Sequence, residues 1–230
     1  MKPTVTNSML GKLAALQNDL FIHAKEGRYA DFYAMMTALR AFIEGKTPEP
    51  PLIMPLPELA KWRTFQVGGM SKKALCARVK SGFSMGALVD GITKRPEFTT
   101  CGPEQDIDTI VLTPDDFGYE RPPTTAELLD PAWLSQWSEQ NREQLGDYAV
   151  ELLPAEAGLH VRDQYKDQPS GEVLWIAMEP IPCPEGRPYV FGVQRNSDKE
   201  RCIVARLAGT NRQWSFRDRI LFCLRKITQE

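Results

Sequence analysis

The chain contains only two histidines, His23 and His160, so a histidine-rich metal centre is excluded. Its five cysteines, Cys76, Cys101, Cys183, Cys202 and Cys223, are odd in number, widely spaced and without a C-x-x-C pair. That argues against a disulfide framework and against a cysteine-only zinc site. No apolar run reaches the roughly 18–20 residues that span a bilayer, and the polar opening from Met1 to Asn7 lacks the pattern of a signal peptide. The expected address is a reducing cytoplasm. Also missing are a G-x-S-x-G elbow, a Walker-type glycine loop and a G-x-G-x-x-G turn. No catalytic residue, metal or cofactor is therefore assigned.

What is present fits a folded domain. Of 230 residues, 42% are hydrophobic and 25% charged, enough to bury a core. Charge is unevenly distributed: net +6 over residues 1–100, −13 over 101–194 and +5 over 195–230. Such a layout is either self-complementary in the fold or marks two partner surfaces.

The periodicity predicts an α+β fold. Apolar residues at helical spacing give an N-terminal hairpin over residues 1–46, with Gly27 between its helices. Five prolines between Thr47 and Pro57 favour a stiff connector, set at residues 47–67. The core domain spans 68–230. It opens with a small helical unit at 68–95, capped at Ser71 and interrupted near Ser81-Gly82, which has the outline of a helix-turn-helix. Asp106 to Thr113 reads as a strand, and Thr124 with Glu127 as a capping box opening a helical stretch that runs to Leu145 with a break at Asp130-Pro131. That stretch is long enough for a β-α-β-like crossover. The run E-V-L-W-I-A-M-E at Glu172–Glu179 is apolar on both alternating faces, as in a central strand. Alternating segments then recur to Lys226, so the expected sheet is mostly antiparallel with five or six strands.

The densest polar cluster is Glu156, His160, Arg162 and Tyr165, with Gln164, Asp167 and Gln168, just before the central strand. Glu156 and His160 are four apart and share a helix face, the geometry of an acid/base dyad, although a surface pair explains them as well. Arg162 with Glu172 or Glu179 would make an ion pair holding helix to sheet. Cys101 and Cys183 have no neighbouring cation to make a thiolate. A second set, Lys72, Lys73, Arg212, Trp214 and Arg217, combines charge for phosphate with a ring for stacking, as single-stranded nucleic acid requires.

The segments I-V-L-T-P-D-D-F-G-Y at Ile110–Tyr119 and L-P-A-E-A-G-L-H-V-R-D-Q-Y-K-D-Q-P-S-G-E-V-L-W-I-A-M-E-P-I at Leu153–Ile181 together resemble a group of uncharacterised bacterial proteins. The resemblance covers roughly residues 95–225. It implies a shared α+β core and no activity, and it directs attention to Glu156, Arg162, Tyr165, Glu172 and Glu179. The expected function is a non-catalytic interaction or regulatory protein with a protein partner. The alternatives are a nucleic-acid binder, and an enzyme centred on Glu156, His160, Arg162 and Tyr165.

Overall fold

The computed structural model describes residues 61–227 apart from 197 and 199. The hairpin at 1–46 and residues 47–60 of the connector lie outside the described residues. In chain order the strands are β1 (Arg63–Val67), β2 (Ser84–Met85), β3 (Gln105–Leu112), β4 (Tyr148–Glu151), β5 (Val173–Ile176), β6 (Ile181–Pro182), β7 (Pro188–Arg195), β8 (Arg201–Leu207) and β9 (Arg219–Lys226). The helices are α1 (Lys72–Gly82), α2 (Ala87–Thr93), α3 (Thr125–Leu128), α4 (Pro131–Gln140), α5 (Arg142–Leu145) and α6 (Ala157–Gln164). None of the described helices is long and apolar enough to cross a membrane.

The α+β class holds, but the sheet is larger and less regular than expected. Among the described residues nine strands form one mixed sheet in the order β1-β3-β9-β5-β7-β8-β2, with β4 also beside β9 and β6 beside β7. The pairs β2–β8 and β5–β9 are parallel; the others are antiparallel. The end of the stretch assigned to the connector is itself a strand. Past Pro57 the prolines stop, and R-T-F-Q-V alternates, with Phe65 and Val67 buried and Gln66 exposed.

β5 sits mid-sheet as expected, and Leu174, Ile176 and Met178 are fully buried on one face. The strand that ties the sheet together, however, is β9. It pairs with β3 along Ile220–Leu224, with β5 along Arg219–Leu221 and with β4 along Cys223–Lys226. Instead of extending the β7–β8 hairpin, it crosses back and inserts between β3 and β5. Ile220, Leu221 and Phe222 are fully buried, so this run needs cover on both faces, which an edge position cannot supply.

β3 and β4 both run antiparallel to β9 and so parallel to each other. The α3–α5 segment joining them is the anticipated crossover, with β9 between its two strands. Its caps follow the sequence: Thr124 and Glu127 form a capping box, and Asp130 caps α4 with Pro131 in the first turn. Trp137 of α4 packs edge-on to Phe117, which packs likewise on Phe222. α6 covers the other face at Gly158, where a Cβ would lie 3.1 Å from Phe191 Cβ and 3.4 Å from Ile176 Cγ1.

The helix-turn-helix outline is not realised. Ser84 and Met85, just past the Ser81-Gly82 interruption, form β2 beside Cys202 and Ile203, leaving α2 only Ala87–Thr93. A strand paired to the sheet edge thus stands between the two described helices where the outline has a tight turn.

Candidate functional site

The polar block from Glu156 to Glu179 separates into distinct places. Glu156 and His160 do converge, at the start of α6. Glu156 is fully buried; its Oε1 accepts from the Cys101 backbone N–H, and its Oε2 has no hydrogen-bond donor. His160 Nε2 lies 3.6 Å from that oxygen and accepts from the Gly68 N–H at 3.3 Å. Gly68 has φ +93°, and a Cβ there would collide with the Pro103 carbonyl. Burial holds the His160 imidazole below its ordinary range, with Glu156 pulling the other way. Burial, and then Glu156, push the Cys101 thiol up to about 11, so this cysteine is not an activated nucleophile.

Arg162 turns elsewhere. The expected ion pair with Glu172 or Glu179 is absent, and the fully buried guanidinium instead donates to neutral oxygens. Nη1 reaches Gln168 Oε1 at 2.5 Å and the Gln194 carbonyl at 3.3 Å, and Nη2 reaches the Tyr165 carbonyl at 2.6 Å. The expected pairing fails because the turn after α6 places Gln168, not a carboxylate, against the side chain. This arrangement ties the end of α6, that turn and β7 together.

Tyr165 and Glu172 form a third place. The Tyr165 hydroxyl donates to Glu172 Oε2 at 2.7 Å, and Arg219 pairs with Glu172 Oε1. The Tyr165 ring packs edge-on to Trp62 at 5.1 Å, under the Arg63 guanidinium. Burial and Glu172 raise the Tyr165 pKa. Such a phenol is held as a donor.

Glu179 belongs to a different feature, a cleft of about 1050 Å³. Its floor is largely apolar, with Ile107, Leu153, Pro154, Ile181 and Leu224, and Cys101 lies in its wall. Carboxylates of Glu97, Asp106, Asp108, Glu151 and Glu179 line it, against Arg225 and Lys226. Arg225 is engaged by Glu151 at 2.6 Å, and Asp108 by Lys61 at 3.0 Å. Asp106 and Glu179 are exposed and have no side-chain partner among the described residues. Apart from Glu179, the residues lining this cleft were not picked out by sequence reasoning as one surface. Asp106 and Asp108 stand out as an alternating acidic pair, but Glu151 and Arg225 are joined only through the β4–β9 register.

The nucleic-acid set is not assembled as a stacking platform. Trp214 is 1% exposed, donates from Nε1 to Thr125 Oγ1 at 3.1 Å and lies beneath Arg206, so no base can reach its ring. Lys72 donates to the Arg95 carbonyl at 2.9 Å and sits over Phe98, while Lys73, Arg212 and Arg217 are exposed. Much of the charge asymmetry is satisfied internally. Lys61, Arg63 and Arg78 pair with Asp108, Asp167 and Asp163, and Arg219 and Arg225 with Glu172 and Glu151. Among the described residues no three His, Cys, Asp or Glu side chains are placed to hold a metal ion. No protein-family model, curated protein or solved structure matches the chain.

Proposed function

We propose that the protein is a non-catalytic interaction protein that takes an extended, basic and apolar segment of a protein partner in the cleft between β3, β9, β4 and the start of α6. The observation that carries this reading is the shape and chemistry of the cleft: a mostly apolar floor under a rim where Asp106 and Glu179 lack side-chain partners among the described residues. Apolar side chains of a partner would gain burial on the floor, and lysine or arginine would meet the rim carboxylates. A protein partner thus fits the surface better than an anionic one. The non-catalytic half of the reading is supported by the dispersal of the four residues on which an enzyme would depend. Glu156 and His160 are buried side by side, Arg162 serves the turn after α6, and Tyr165 serves Glu172.

Fluorescence anisotropy with labelled peptides tests it. A peptide alternating leucine and lysine should bind, and one alternating leucine and glutamate should not. Binding should weaken as salt rises and fall at least several-fold in an Asp106→Asn, Glu179→Gln double variant. Equal binding of the two peptides, or no loss in the double variant, would remove the cleft as the binding surface.

A further inference from the structure

A second site lies away from the cleft, where the β7–β8 hairpin meets the end of α1. Three arginines gather there around neutral partners. Arg162 is fully buried, its donors are spent on Gln168, Gln194 and Tyr165 oxygens, and its Nε has no acceptor. Arg195 donates to the Gln168 carbonyl at 2.7 Å, and its Nε is likewise buried without an acceptor. Arg201 stands directly opposite Arg195 across the hairpin, and its side chain has no hydrogen bond or ion pair among the described residues. Like charges facing each other across an antiparallel pair are destabilising, and a guanidinium buried without a counter-ion loses its hydration uncompensated. Burial first, and then Arg201, draw the Arg162 pKa down to about 10.

The neighbouring carboxylates are committed elsewhere. Asp163 holds Arg78 at 2.7 Å and Lys166 at 3.7 Å, Asp167 holds Arg63 at 2.8 Å, and Asp90 holds Lys80 and Lys94. Glu200 accepts from Asn196 Nδ2 at 3.3 Å and is the one acidic group in the wall of a pocket of about 420 Å³. Lys80, Gly82, Phe83, Ser84 and Arg201 complete that wall. Arg162 lies behind it, its guanidinium 5.1 Å from the Phe83 ring centre, with Lys166 Nζ 4.8 Å from the same ring. The register explains the meeting: Ser84 pairs with Cys202, and Cys202 with Gln194, whose carbonyl Arg162 holds.

We infer that this pocket binds the phosphate group of a small molecule, with Arg201 as the direct contact, the Ser84 hydroxyl as a donor, Lys80, shared with Asp90, at the rim, and the buried Arg162 and half-buried Arg195 as the charge behind them. A doubly charged oxyanion supplies the counter-charge that the three arginines lack, and guanidinium is the side chain best matched to it. The pocket holds a phosphate and a small attached group, while Trp214, the ring offered for base stacking, is buried elsewhere.

The test is titration of the full chain with inorganic phosphate, and separately pyrophosphate, followed by amide NMR at ionic strength held constant with sodium chloride. Saturable shifts confined to residues around Ser84, Arg201 and Cys202 are expected, with affinity at least tenfold lower in Arg201→Gln and unchanged in Lys73→Gln. Circular dichroism of Arg201→Gln checks that it stays folded. Shifts reproduced by chloride alone, or wild-type affinity in Arg201→Gln, would overturn the inference. A third arm uses a single-stranded oligonucleotide at equal phosphate concentration. Tighter binding that depends on Arg212 and Arg217 rather than Arg201 would also overturn it, placing phosphate recognition on the outer surface instead.

Discussion

Glu156 is the residue at which ordinary folding logic is most strained. A buried carboxylate oxygen without a donor forfeits about 1–3 kcal/mol or more, and Oε2 is such an atom. Glu156→Gln keeps an acceptor for the Cys101 N–H and replaces the unpaired buried carboxylate oxygen by a neutral amide, beside a His160 Nε2 whose lone pair is taken by the Gly68 N–H. We expect it to raise stability by about 1 kcal/mol or more in urea unfolding at neutral pH, whereas Glu156→Ala should lower it by about 2 kcal/mol by orphaning the Cys101 N–H. Equal damage from both would mean that the carboxylate charge itself is required. Gly192 gives a sharper steric test. A Cβ there would come within 2.5 Å of Trp175 Cε3, so Gly192→Ala must displace the indole from its place beside Trp214. A loss of about 1–3 kcal/mol, with altered tryptophan fluorescence, is expected.

At the scale of elements, β9 joins the two halves of the sheet: β3, β4 and β5 all pair with it, as β5, β6 and β8 pair with β7. Phe222→Ala should cost about 3–5 kcal/mol, since its ring is fully buried against Phe117. A chain ending at Asp218 should show no cooperative thermal transition by circular dichroism; a normal transition would mean that β3, β4 and β5 hold together without it. The local features of the fold were legible in the sequence: the Ser71 cap, the Thr124–Glu127 box, the break at Asp130-Pro131 and the strand expected at 106–113 and found at 105–112 depend on neighbours within a few residues. The insertion of β9 was not, because alternation in Arg219–Lys226 shows that a strand is buried and not which strands flank it. The candidate site followed the same rule. The i,i+4 pairing of Glu156 and His160 was readable from spacing, whereas Arg162 with Gln194 and Arg195 with Arg201 depend on where the chain returns.

Taken over the whole molecule, the ionisable groups predict an acid response in two stages. His160 is held below its ordinary value of 6.5 in the folded chain, so the unfolded chain binds this proton more readily. Its effect on stability is absent above the unfolded value and grows as a loss while pH falls from about 6.5 toward the folded value. The carboxylates act later. Asp90, Asp108, Asp167 and Glu127 are all lowered, Asp90 chiefly by Lys80, Asp108 by Thr64, Asp167 by Arg63, and Glu127, to about 2, by Arg121. A lowered acid contributes stability that is fully present above its unfolded value and is lost as pH falls through the folded one. Melting temperature measured from pH 7.5 to 2 should therefore decline gently below about 6.5 and steeply below about 4. His160→Gln should flatten the first decline and leave the second in place, while raised salt should blunt the second, which rests on exposed pairs. If His160→Gln leaves the upper slope unchanged, the contact between Gly68 and His160 is not what couples the start of α6 to the proton.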